Sequence, residues 1–66
     1  MNIILNGRDY EVPPNTTIAQ LITLHNLTPD KVAVELNRDI IRRTEWNTRL
    51  VEAGANIEVV QFVGGG

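Results

Sequence analysis

The 66 residues contain no cysteine and no serine, and they hold a single histidine, His25, and a single lysine, Lys31. Lack of cysteine excludes a disulfide framework, a thiolate zinc site and a cysteine nucleophile, and it leaves an apolar core as the source of stability. With no serine and one histidine, neither a Ser-His-Asp constellation nor a multi-histidine metal site can be assembled. An enzyme would have to rest on carboxylates alone, and Asp9, Glu11, Asp30, Asp39, Glu45, Glu52 and Glu58 fall in turns or at outward strand positions, where solvated charge is the expected role. His25 stands near the end of a predicted helix, where a cation is favoured. No apolar run approaches the roughly 20 residues that cross a bilayer, and the N-terminal residues show no basic segment leading into an apolar one. Basic excess is missing too. The formal net charge is -2, so the chain lacks the footprint of a nucleic-acid binder, and the local Arg42-Arg43 pair reads as two solvated side chains. These absences point to a soluble cytoplasmic protein with no nucleic-acid or membrane partner.

What is present is an ordinary globular composition, 42% hydrophobic and 21% charged, far from the signature of disorder. At this length it makes one domain, which buries only about 60% of the surface its unfolded chain exposes. Ile3, Ile4 and Leu5 run into Asn6-Gly7, a strong hairpin signal because both central residues of a type I′ turn need positive φ. Tyr10 and Val12 alternate with Asp9 and Glu11 in a second strand, which Pro13-Pro14 stops. Thr17 and Gln20 match a capping box, with Ile18, Leu21, Ile22 and His25 at helical spacing behind it, Leu24 and Leu27 widening the apolar side, and Thr28-Pro29-Asp30 as the stop. Val32, Val34 and Leu36 alternate with Ala33 and Glu35 in a third strand. After a turn at Asn37-Arg38-Asp39, Ile40 and Ile41 read as a brief fourth strand. Thr44 then stands ready to cap a single helical turn carrying Trp46, a plug against the sheet. Leu50 and Val51 are expected in the core, residues 52–56 in a loop, and Ile57 to Val63 in the last and most β-prone strand.

The pattern predicts strands near residues 1–6, 9–13, 31–36, 39–42 and 57–63 and one main helix near 17–26. The helix packs on one face of a mixed sheet of four to five strands, an α+β arrangement, with the first and last strands as central neighbours. Residues 1–63 form the domain, and Gly64-Gly65-Gly66 form a flexible C-terminal tail. In the last strand Val60 and Phe62 share one face with Glu58, whereas Ile57 and Val59 share the other with Gln61. If Ile57 and Val59 face the helix, Val60 and Phe62 make an open apolar patch beside the tail; the opposite assignment would put Phe62 in the core.

With the tail and strand order in view, the whole chain resembles the ThiS family of sulfur carriers in thiamin biosynthesis, a β-grasp, ubiquitin-like fold. The resemblance rests on the Met1-to-Gly7 opening, Val32-Ala33-Val34-Glu35-Leu36-Asn37, Arg43 to Trp46, the loop around Gly54, and the ending Ile57-Glu58-Val59-Val60-Gln61-Phe62-Val63-Gly64-Gly65-Gly66. Ala53 and Ala55 stand where such proteins usually carry acidic residues, in a loop with no catalytic role. The resemblance implies that the chain is a protein co-substrate and not an enzyme. It binds no cofactor of its own. A ThiF-type adenylyltransferase uses ATP to activate the carboxylate of Gly66, a sulfur-donor system converts the adenylate to a thiocarboxylate, and a ThiG-type thiazole synthase receives the sulfur. Two neighbouring readings stay open: the small sulfur-carrier subunit of a molybdopterin synthase, and a ubiquitin-like modifier or binding module.

Physical reasoning supports the tail independently. An α-carboxyl group has a reference pKa of about 3.3–3.7, so it is ionised near neutral pH and needs no general base to act as a nucleophile. Glycine has no Cβ, which lets a tail enter a narrow channel. Fixing three residues costs on the order of 3–6 kcal/mol, which glycines cannot recover through side-chain contacts. The folded body must therefore supply the docking energy. Val60 and Phe62, joined by Ile41, are the expected apolar centre of that interface.

Overall fold

The computed structural model describes residues 1–61. The chain runs β1 (Asn2–Leu5), β2 (Arg8–Glu11), α1 (Ile18–Leu24), a 3₁₀ turn (Pro29–Lys31), β3 (Val32–Leu36), β4 (Asp39–Ile41), a second 3₁₀ turn (Arg43–Glu45) and β5 (Asn56–Gln61). The five strands form one sheet in the order β2-β1-β5-β3-β4. β1 and β5 are parallel neighbours, while β1/β2, β3/β4 and β3/β5 are antiparallel. The first and last strands therefore lie side by side in the sheet, as expected.

Both hairpin turns use two consecutive positive φ values: Asn6 (49°) with Gly7 (81°), residue types that tolerate them, and Asn37 (50°) with Arg38 (76°), where arginine is held in the left-handed region that its type disfavours. The β1/β2 ladder continues past the strand ends, because Val12 N–H donates to the Met1 carbonyl at 2.9 Å and the Met1 amine donates back at 2.7 Å. Ile3, Leu5, Val34, Leu36 and Ile57 project from the sheet into one cluster with Ile18, Leu21 and Ile22 of α1. Ile3, Ile18, Val34 and Ile57 are fully enclosed, so the core sits between the helix and the middle strands.

A seven-residue helix is too short to persist alone, so its ends are tied down. The capping box forms: Thr17 Oγ1 accepts from Gln20 N–H at 3.1 Å, and Gln20 Oε1 accepts from Thr17 N–H at 2.9 Å. The remaining free amides of the first turn go to a distant segment, Ile18 N–H to the Arg49 carbonyl and Ala19 N–H to the Trp46 carbonyl, both at 3.0 Å. The helix ends with His25 as its cap, close to the expected end near residue 26 and ahead of Thr28-Pro29-Asp30. Asn26 adopts φ 56°, and two bonds, Asn26 N–H to the Thr23 carbonyl and Leu27 N–H to the Ile22 carbonyl, close the end. Leu27 packs on the core, whereas Leu24 is left exposed on the far side of α1.

Three further expectations are corrected. Thr44 does not cap the second 3₁₀ turn; Arg42 takes that position without a side-chain bond, and Thr44 lies inside the turn. Leu50 is half exposed while Val51 is buried, because this stretch is extended beside Thr17 and only alternate residues point inward. Ile41 is not a surface residue. Its register opposite Val34 turns it into the core at 5% exposure, and its neighbour Ile40, opposite Glu35, is 74% exposed. Trp46 is the plug expected of it: it is buried, and its Nε1–H donates to the Ile41 carbonyl at 3.1 Å.

Candidate functional site

β5 is the last described element before Gly64-Gly65-Gly66, which the sequence singles out, so the residues that hold this strand are the candidate site. β5 lies third of five, which gives it a backbone neighbour on both sides. Its even-numbered residues face β3: Asn37 N–H donates to the Asn56 carbonyl at 2.7 Å, and Asn56 N–H donates to Asn37 Oδ1 at 3.0 Å. Its odd-numbered residues face β1. Ile4 N–H donates to the Ala55 carbonyl and Asn6 N–H to the Ile57 carbonyl, both at 2.9 Å, and Val59 N–H donates to Asn6 Oδ1 at 2.8 Å. The first residue of each hairpin turn thus reaches sideways with its amide oxygen and takes an N–H of β5. Sequence reasoning found Asn6 and Asn37 as turn formers and missed this second role. The acceptor and donor of the Asn6 bond are 53 positions apart, and no local signal joins them.

The two faces of β5 divide as the first of the two assignments expects. Ile57 is fully buried and Val59 packs against the core, whereas Val60 is 54% exposed on the helix-free face. The paired strands put Ala33 beside Val60, Glu35 beside Glu58, and Ile40 beside Glu35. The exposed apolar partner in β4 is therefore Ile40, in place of Ile41. Phe62, Gly64, Gly65 and Gly66 lie outside the described residues.

Elsewhere several polar side chains serve the fold. Arg43 bonds Asp30 Oδ1 at 3.2 Å and the Pro29 carbonyl, and its guanidinium lies 5.6 Å from the Trp46 ring centre, which ties the two 3₁₀ turns together. His25 caps α1 and sets its ring edge-to-face against Tyr10 at 4.6 Å. A groove between the 13–16 loop and α1 carries no ionisable side chain. Among the described residues no three His, Asp or Glu side chains converge as a metal site would require, and no helix is long and apolar enough to cross a membrane.

A mixed sheet with parallel central strands β1 and β5, one helix across one face and a last strand running toward a triglycine defines a β-grasp protein of the ubiquitin-like kind. The ThiS family model matches residues 3–66, and the chain belongs to that family. A crystal structure of the thiamine biosynthesis protein ThiS from Geobacter metallireducens aligns over the whole of both chains with a TM-score of 0.87 at 28% identity. A solution structure of a thiamine biosynthesis protein from the same organism covers this whole chain and 88% of that one, with a TM-score of 0.81 at 26% identity. Curated relatives include thiazole synthases from Magnetococcus marinus, 36% identical, and Paramagnetospirillum magneticum, 30% identical, each matched over all 66 residues. The chain spans 20% of the length of these two relatives.

Proposed function

We propose that the carboxyl group of Gly66 is the working group of this chain, which as a member of the ThiS family is a sulfur carrier of thiamin biosynthesis. The observation that carries the reading is the family match through residue 66, joined to a central strand, clamped from both sides, as the last described element before it. An ATP-dependent adenylyltransferase presents the α-phosphorus of ATP to a Gly66 carboxylate oxygen, and pyrophosphate leaves. Hydrosulfide from the sulfur source then attacks the acyl carbon of the adenylate, and AMP and a proton depart, which leaves a thiocarboxylate. Thiazole synthase takes up that sulfur, and the thiazole synthases among the relatives support this choice of acceptor. The chain is a carrier rather than a catalyst, and ATP belongs to its activating partner.

The body supplies docking energy through Val60, Phe62 and, in place of Ile41, Ile40. Intact-protein mass spectrometry tests the chemistry after incubation with the adenylyltransferase, ATP and a sulfur source. The full chain should gain an oxygen-to-sulfur mass change. A chain lacking Gly66 should gain none while keeping its melting temperature. Sulfur loading of the shortened chain would refute Gly66 as the reactive group, and delivery to a molybdopterin synthase instead of thiazole synthase would reassign the pathway.

A further inference from the structure

β5 changes character along its length. From Asn56 to Val59 it is flanked on both sides, but its pairing with β1 covers only Ile4 opposite Asn56 and Leu5 opposite Ile57. β1 then turns away at Asn6-Gly7, and Asn6 Oδ1 fills the next position by accepting the Val59 N–H. On the other side β3 continues, with Ala33 opposite Val60 and Val32 opposite Gln61. Backbone groups of a strand alternate sides, and the odd-numbered ones point toward β1 here. The Val59 carbonyl and the Gln61 N–H and carbonyl therefore face the side where β1 has ended, and among the described residues no hydrogen bond engages them. The central strand becomes a free edge in its last residues, on the way to Gly66.

We infer that this edge, from the Val59 carbonyl to Gln61, receives an extended strand of thiazole synthase, which takes the place in the sheet that β1 vacates at Asn6. This rests on the carrier reading and adds the mode of docking. Exposed strand edges pair readily, and in such strand addition main-chain hydrogen bonds supply the affinity. Gly64, Gly65 and Gly66 have no side chains to grip, so a partner that must aim the chain end is best served by the backbone just before it. The occupant is assigned to thiazole synthase because the relatives named so contain a stretch matching this whole chain within the same polypeptide.

The backbone alternation supplies the test, which is binding of the full, unmodified chain to thiazole synthase and so needs no sulfur chemistry. Gln61→Pro removes the N–H that faces the free edge and none that faces β3. It should raise Kd roughly tenfold or more, since a hydrogen bond is lost and the ring intrudes on the incoming strand, with the urea midpoint nearly unchanged. Gln61→Ala keeps the backbone and should change Kd less than about twofold. Site-resolved amide exchange on the wild-type chain gives a reading that does not depend on the variant folding. The Gln61 amide should exchange fast in the free chain and slow at least about tenfold in the complex. Equal losses for Gln61→Ala and Gln61→Pro, or an unprotected Gln61 amide in the complex, would overturn the inference. So would protection of that amide by the adenylyltransferase and not by thiazole synthase. Failure of the Gly66 mass change with intact Gln61 protection would instead count against the chemistry and leave the docking mode standing.

Discussion

Removing the Asn6 side chain should loosen β5 without disturbing the core, and three substitutions separate the causes. Asn6 holds φ 49° and accepts the Val59 N–H at 2.8 Å. Asn6→Gly keeps the turn, loses the acceptor and adds freedom to the unfolded chain, which together cost about 1–2 kcal/mol. Asn6→Ala loses the same bond and also the short polar side chain that lets asparagine tolerate the left-handed region, for about 1.5–3 kcal/mol. Asn6→Asp keeps an oxygen in place and tolerates the backbone, so it should stay within about 0.5 kcal/mol of wild type. For a domain of this size total stability is on the order of 3–10 kcal/mol, so the alanine variant should shift visibly in urea unfolding. Amide exchange localises the effect: in Asn6→Gly the Val59 amide should lose protection while Ile57 keeps its own. If Asn6→Gly were as stable as wild type and Val59 stayed protected, the sideways bond would contribute nothing and the clamp argument would fail.

Ile41→Ala should cost about 2–5 kcal/mol in urea unfolding because it empties a core position, whereas Ile40→Ala, on the open face, should stay within about 0.5 kcal/mol. Glu35 and Glu58 are directly opposed on the helix-free face, and no ion pair engages either among the described residues. Glu58→Lys turns that repulsion into attraction and should raise stability by about 0.2–1 kcal/mol, an increase that shrinks in high salt; an unchanged or lower stability would refute it. Val60→Asp should leave the chain folded yet slow its adenylation by tens-fold at low carrier concentration, read as pyrophosphate release, and an unaltered rate would remove Val60 from the interface.

The parts of this protein fixed by neighbouring residues were legible in its sequence. Asn6-Gly7 specifies a turn because two consecutive positive φ values are affordable there, and Thr17 with Gln20 specifies a helix start because the capping bonds span three residues. Period-2 runs placed β3 and β5 and divided Ile57 from Val60. Other features depend on what lies beside a residue in space. Ile40 and Ile41 are equivalent as sequence, and only the pairing of Val34 with Ile41 decides which one is buried. Leu50 reads as a core residue until the segment lies extended against Thr17. Asn26 in the left-handed region, and not the proline signal beyond it, closes the helix near its expected end. Glu35 and Glu58 meet only through the β3/β5 register, and Asn6 reaches Val59 only because β1 and β5 are adjacent. Hydrogen-bond registry between strands far apart in the chain is set by the packed core as a whole, so the tertiary structure alone determined where β5 is held and where its edge is left open.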